Sequence, residues 1–336
     1  MEKSGHCVDN RTMTRFVLCG TGWRARFYLR IALALPDLFS VSSIYTRQEE
    51  RAEELRSKGY IATTDLDEAL AFEHSFVVVA SGKEGFFPLL MELSKRGETI
   101  ASETTFLSLS EEELSIAEKI EGYTLEQYWF TPLYGSIRKS LPRIGKIESV
   151  YLSALHNHHA ASILRGIFPN KAVKDHRLLL EQKASCRKSG SRQGLLKSCE
   201  VEEYTRRINL VEMIGGEVFI NDFSSNQYHS YIIPSRIEIR GEKGVITERG
   251  VSYMDDQGYP ITLDFCFHRD SERINQSTTL SHVSLGDSVV FENEFYPATL
   301  NDDEIAIATM LKRLDEGRLR YSIKDGVEDA RLGRLL

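Results

Sequence analysis

The stretch Phe16-Val-Leu-Cys19-Gly20-Thr21-Gly22-Trp23-Arg24-Ala25 decides the fold. A short apolar run ends at a glycine, and a segment of helical period follows. From Arg24 to Leu35, Phe27, Ile31 and Leu35 recur at four-residue steps with Tyr28 beside them, and Pro36-Asp37 stops the pattern. This is a strand, a tight turn and the opening of a helix. Gly20 permits the turn, Gly22 lets the backbone approach a diphosphate, and Ala25 lets helix and strand pack closely. The free N–H groups and dipole of the helix N-terminus face that charge. In this setting the Gly-x-Gly-x-x-Ala spacing points to a dinucleotide, the plainer alternative being a glycine turn needed only for packing.

Working outward, strand and helix signals alternate. Phe39 to Tyr45 reads as a strand, Arg47 to Lys58 as a charged helix ended by Gly59, and Asp65 to Phe72 as a short helix capped by Asp65. Phe76-Val-Val-Val-Ala80 is a β-branched run suited to a strand buried on both faces. Phe86 to Lys95 predicts a helix, Glu98 to Ser102 a strand, and Ser110 to Ile120 a helix opened by a capping box, Ser110 with Glu113. The series implies a doubly wound parallel sheet, a Rossmann domain over 15–127. Beyond it the pattern changes. Ile147 to Leu155, Val218 to Phe223, Tyr231 to Arg240, Gly244 to Ile246 and Thr262 to Phe267 read as strands separated by turns such as Gly241 to Gly244. His159 to Phe168 and Asp302 to Glu316 read as helices. The fold class is therefore α/β, with a second α/β domain over 128–336 built on a largely antiparallel open sheet. Ala184 to Lys197, rich in Ser, Gly, Lys and Arg, reads as a lid or surface loop.

Composition narrows the function classes. The chain has 336 residues, 41% hydrophobic and 27% charged, with a net charge of -7. That size buries a core without staples, and that charge argues against nucleic-acid binding. The tyrosines and phenylalanines from Phe219 to Tyr231 accordingly read as a sheet face and dimer surface, not a base-stacking platform. The five cysteines are scattered without a CxxC, which suits a reducing, cytoplasmic setting. No apolar stretch is long enough to span a bilayer and the first residues lack a signal-peptide core, so no membrane partner is expected. They read as a disordered lead-in.

The end of the second strand selects the cofactor. An acid there would hold the ribose 2′-hydroxyl of NAD, but this chain has Tyr45-Thr46-Arg47. Thr46 and Arg47 suit a 2′-phosphate and point to NADP ahead of NAD, the alternative being that Arg47 is a solvated helix residue.

At this point the chain resembles the Gfo/Idh/MocA family of glucose-fructose oxidoreductases and inositol dehydrogenases. The likeness is carried in order by Leu18 to Gly22, Arg96-Gly97 before Thr99 to Glu103, Ile144 to Ile147, His159 to Leu164, Arg236 to Ile246 and Asp303 to Leu311. It implies an NAD(P)-dependent oxidoreductase with a sugar-, polyol- or imine-like substrate, working as a homo-oligomer, dimer or tetramer, through its open sheet. The implied cofactor contacts are Gly20, Thr21, Gly22, Trp23 and Arg24 in the turn. Thr46, Arg47, Ala80, Ser81 and Glu103 complete them.

The chain also departs from the family. Glu103-Thr104-Thr105 stands where the family has Glu-Lys-Pro, Leu155 replaces an Asp, and Ser81-Gly82-Lys83 replaces Thr-Pro and His. His159 matches the family's catalytic His and is the leading acid/base, with Glu103 and Thr104 beside the nicotinamide. Lys83, just past a parallel strand's C-terminal end, is a candidate substitute cation. Tyr128, Tyr134 and Arg138 are further candidates for the cleft. His156, His158 and His159 could alternatively bridge a domain seam or bind a metal. No carboxylate lies nearby in sequence, so no metal site is expected. The missing lysine and Asp motivate a second reading, a dinucleotide-binding regulator or scaffold without turnover.

Overall fold

A computed structural model describes residues 13–191, 194–197, 199–270 and 279–336. The expected lead-in, apart from its last residues, and Cys7 lie outside them. The first half alternates as expected: β1 (Thr14–Cys19), α1 (Ala25–Ala34), β2 (Phe39–Tyr45), α2 (Glu49–Ser57), β3 (Ala62–Thr63), α3 (Leu66–Leu70), β4 (Phe76–Val79), α4 (Lys83–Lys95), β5 (Ile100–Ser102), α5 (Glu111–Ala117) and β6 (Tyr123–Thr124). The strands form a six-stranded sheet in the order β3-β2-β1-β4-β5-β6, with every pairing parallel. Alternation along β1 explains its burial. Phe16 and Leu18 enter the core on one face, and Val17 and Cys19 enter that on the other. The expected cap of α5 is present, Ser110 accepting from the Glu113 N–H while the Glu113 carboxylate accepts from that of Ser110.

After α6 (Pro132–Ser140) the second sheet begins. Its strands are β7 (Ile147–Ser153), β8 (Val173–Arg187), β11 (Val201–Met213), β12 (Val218–Ser224), β13 (Arg236–Gly241), β14 (Gly244–Thr247), β15 (Gly250–Met254), β16 (Pro260–Asp270), β17 (Thr279–Leu285) and β18 (Ser288–Glu292). Their order is β18-β17-β16-β15-β14-β13-β7-β12-β11-β8, antiparallel except where β7 meets β12. Between β7 and β8 lies α7 (Asn157–Ile167), and a small hairpin, β9 (Gly190–Ser191) with β10 (Gly194–Leu195), follows β8. Helices α8 (Asp302–Asp315) and α9 (Ile323–Gly333) end the chain. No helix among the described residues is long and apolar enough to cross a membrane.

The differences from expectation have physical reasons. The stretch 184–197 is not a plain loop: it finishes β8 and forms β9 and β10. β8 exposes most residues on both faces, so it shows no apolar alternation and draws its order from a backbone ladder with β11. Tyr231 does not begin a strand, because β13 starts at Arg236. α9 escaped notice because Gly326 and Gly333 interrupt its apolar pattern. Both sit where side chains would collide: a Cβ on Gly333 would lie 2.4 Å from the His158 nitrogen.

α9 ties the two halves together. Ile323, Val327 and Ala330 pack in the core beneath β4 and β5. Arg165 of α7 binds Asp325 at 2.7 Å and Asp329 at 2.8 Å on α9. The segment before α9 also extends the first sheet, Thr124 N–H donating to the Tyr321 carbonyl at 2.9 Å.

Candidate active site

The turn after β1 is built as its residues require. Gly20 has φ +133°, and a Cβ there would lie 2.3 Å from the Ala80 carbonyl oxygen. Only glycine lets β1 and β4 separate at this point. Gly22 faces open space. A groove of about 660 Å³ runs from Gly20, Thr21 and Gly22 past Thr46 and Arg47 to Ser81 and Gly85. The Arg47 guanidinium lies flat over Gly85, where a Cβ would come within 2.6 Å of its Cζ. Arg47 is otherwise exposed.

Beyond Ser81 the groove meets a cleft of about 750 Å³ between the two sheets. Trp23, Arg24, Ala80, Ser81, Glu103 and Thr104 line its first-domain side. Glu103 follows β5, and its buried carboxylate accepts from Arg24 Nε at 2.8 Å and from the Tyr28 hydroxyl. Burial disfavours the Arg24 charge, but the adjacent Glu103 carboxylate and Tyr28 oxygen outweigh it and hold the guanidinium protonated. Thr104 therefore stands beside an arginine–glutamate pair, not a lysine. Lys83, the first residue of α4, is exposed and lines neither the groove nor the cleft.

The opposite wall comes from α7 and its surroundings. Asn157 takes φ 46°, a left-handed conformation asparagine tolerates, and its side chain donates to the Gly333 carbonyl at 3.0 Å. His156 thus stands at the N-cap of α7, and His158 and His159 sit in its first turn. His159 turns toward the cleft with Nδ1 2.7 Å from Glu126 Oε2. Glu126 is 2% exposed, and burial pushes its carboxyl up to about 8. Burial, then the neighbouring His156 and Arg24, push His159 well below the usual imidazole value. A neutral carboxyl donating to Nδ1 leaves the His159 proton on Nε2, the nitrogen free for the cleft.

Donor atoms of Glu126, His158 and His159 lie within 4.8 Å of one another. Two ligands of a common zinc ion would stand about 3.3 Å apart at tetrahedral angles. Glu126 thus supplies the carboxylate that proximity in sequence did not offer, and its 2.7 Å contact with His159 Nδ1 is a hydrogen-bond distance.

Tyr128 stands edge-on to His159, ring centroids 4.6 Å apart, and its hydroxyl pairs with that of Tyr228. Tyr228 in turn meets His156 Nδ1 at 2.8 Å. Tyr228 and Tyr231 therefore line the cleft, while Phe219 and Phe223 are buried; the stretch is not one exposed aromatic face. Tyr134 packs beneath Tyr128, and Arg138 faces a separate cavity of about 350 Å³.

Glu126, Gln127, Tyr228 and Asp303 were not among the sequence candidates. For Glu126 a signal existed: it follows β6, at the C-terminal edge of a parallel sheet where ligands bind. Asp303 reaches the site only through the packing of α8. Three buried polar atoms on cleft-lining residues have no hydrogen-bond partner in the structure: Arg24 Nη2, Ser81 Oγ and Gln127 Oε1.

No family model matches the sequence, and no curated protein does. Solved structures do match over almost the whole chain. An oxidoreductase from Agrobacterium radiobacter, in complex with NAD+, L-tartaric acid and magnesium, is similar at TM-score 0.64 and 14% identity, covering 96% of this chain and 95% of that one. An inositol dehydrogenase homologue from Azotobacter vinelandii, complexed with NADH and myo-inositol, gives TM-score 0.62 and 15% identity over 96% and 94%. Levoglucosan dehydrogenase in its apo form gives 0.65 and 14% over 97% and 96%. The chain therefore shares the fold of these structures, the Gfo/Idh/MocA fold, a parallel Rossmann-like sheet joined to a large, mostly antiparallel one.

Proposed function

We propose that this protein is an NAD(P)-dependent oxidoreductase acting on a small polar substrate of sugar, polyol or imine type. One observation carries the reading: the open glycine groove leads through Ser81 into a cleft that holds a buried histidine–carboxyl pair. Buried polar atoms are normally satisfied, so Ser81 Oγ, Arg24 Nη2 and Gln127 Oε1 are groups a ligand would complete. A nicotinamide dinucleotide, when bound, supplies hydride transfer. Gly20 to Arg24 would hold it, with Thr46, Arg47, Ala80, Ser81 and Glu103, and Arg47 favours a 2′-phosphate. The NADH- and NAD+-bound relatives support a nicotinamide cofactor of either type.

The chain's own part is proton transfer. In reduction, His159 Nε2–H donates to the developing substrate oxyanion while Nδ1 takes the Glu126 proton. In oxidation the same protons move back. Arg24, held by Glu103, offers its unpartnered Nη2 as a hydrogen-bond donor near Thr104, where the family places its lysine. Residues 15–127 would be the dinucleotide domain and 128–336 the substrate domain, with α9 returning across the boundary. Exposed Leu178 and Leu180 on β8 suit a homo-oligomer through the open sheet, which light scattering would test.

The first experiment is a calorimetric titration with NADPH and then NADH. Binding, with NADPH tighter, is expected; binding of neither overturns the reading. Thr104 in the lysine position supports the second reading, a dinucleotide-binding protein without turnover. Steady NADPH consumption by the wild type, lost in His159→Ala, would exclude it.

A further inference from the structure

We propose that the substrate carries an ammonium group and that Asp303 is its partner in the cleft. The inference rests on the oxidoreductase reading for the site but on separate residues. Among the described residues lining the cleft, Arg24 is the one permanent cation, and Glu103 already neutralises it. Asp303 then leaves an uncompensated negative charge facing the substrate space.

Acids in a helix's first turn are common, because the dipole favours them. Here two neighbours already fill that role. Asp302 binds Arg269 at 2.8 Å, and Glu304 closes a capping box with Asn301 and binds Arg30 at 2.8 Å. Asp303 differs. It lines the cleft, is half-buried, and has no hydrogen-bond or ion-pair partner among the described residues. Burial pushes its carboxyl up, and the nearby Arg24 only partly opposes this. A half-buried carboxylate without a partner is costly, and a bound cation removes the cost.

The aromatic walls suit the same ligand. Trp23, Tyr128, Tyr228 and Tyr231 line the space, and aromatic rings are good neighbours for an ammonium group. A neutral polyol would use the hydroxyls, the histidines and Gln127, but would leave Asp303 uncompensated. An anionic substrate would add a second negative charge. An amino sugar, an aminocyclitol or an amino polyol fits the whole lining.

The test is calorimetric binding of matched pairs, with and without the nicotinamide cofactor, at a pH where the amine is protonated. The pairs are D-glucosamine with D-glucose, and 3-amino-1,2-propanediol with glycerol; N-acetyl-D-glucosamine controls for the amine's bulk. At least one amine is expected to bind about 10-fold or more tightly than its neutral partner, the scale of one charge-assisted hydrogen bond. Acetylation should remove the preference. Asp303→Asn should abolish it, and Asp302→Asn should keep it. The proposal fails if no amine exceeds its neutral partner in the wild type, or if the preference survives in Asp303→Asn. It also fails if Asp303→Asn leaves amine binding alone and weakens only the oxidised cofactor, which would assign the carboxylate to the nicotinamide cation. Failure of the cofactor to bind would count against the dinucleotide reading, while the amine preference is still read in its absence.

Discussion

At the scale of single residues, the site turns on where one proton rests. Glu126 is buried and its carboxyl lies near 8, while His159 is held neutral. Their 2.7 Å contact makes the imidazole a donor toward the cleft only while Glu126 keeps its proton. Reduction should therefore fall as pH rises through about 8 in kcat profiles. Glu126→Gln keeps a donor to Nδ1 but cannot pass a proton. We expect it to lower kcat by about 10²-fold and to flatten that limb, whereas His159→Ala should cost about 10²–10⁴-fold with cofactor affinity retained. An unchanged pH profile in Glu126→Gln would remove the carboxyl from the reaction. Arg47 makes a separate expectation. Its guanidinium is laid over Gly85 in the groove. Arg47→Ala should weaken NADPH binding by about 10-fold and leave NADH binding near its original value, the scale of one charge-assisted contact. Equal losses for both cofactors would show that Arg47 only shapes the groove.

At the scale of elements, the position of His159 is set by the contact between α7 and α9. The first turn of α7 lies so close to the end of α9 that Gly333 has no room for a side chain. Gly333→Val should push His158 and His159 off their positions. The loss expected is about 1–3 kcal/mol of stability, as for other overpacked contacts. NADPH affinity should persist, since the groove lies across the sheet, while turnover falls. Loss of cofactor binding together with turnover would show instead that α9 holds the first domain's fold. These elements also show what the sequence makes legible. β1, α1 and the glycine turn were readable because burial on both faces of β4 and one face of α1 leaves plain apolar periods. The antiparallel strands β13 to β16 were partly readable for the same reason. β8 was not, because its order comes from a ladder with β11 over exposed side chains, and β11 buries only the end of its run, at Asn209, Val211 and Met213. His159 was readable by position and Arg47 by its place after β2. Glu126 had only its place after the short strand β6 to mark it, and Asp303 had nothing. Glu126 meets His159 through sheet closure and Asp303 enters the cleft through the packing of α8, and no local spacing records either placement.

At the scale of the whole molecule, the cleft joins two cores whose shared groups titrate in opposite senses, so stability should peak near neutral pH. Glu126 lies above its ordinary value, shifted from 4.5 to about 8. Its contribution is complete below 4.5 and is lost as pH rises through about 8, because the unfolded carboxyl releases its proton more readily. His158 and His159 lie well below 6.5. Their contribution is complete above 6.5 and is lost as pH falls through the folded values, because the unfolded rings gain protons first. The alkaline limb, a shift from 4.5 to about 8, should be worth on the order of a few kcal/mol, given that one pKa unit is about 1.4 kcal/mol. The alkaline limb belongs to one residue and the acid limb to two, so they can be separated. In urea denaturation across pH, Glu126→Gln should flatten the alkaline limb and leave the acid one. His158→Phe should relieve part of the acid limb, since both of its ring nitrogens are buried without partners and an apolar ring loses nothing there. If both variants instead lower stability equally at every pH, the pair and its neighbour serve packing alone, and the proton assigned to the cleft has no place in the folded protein's titration.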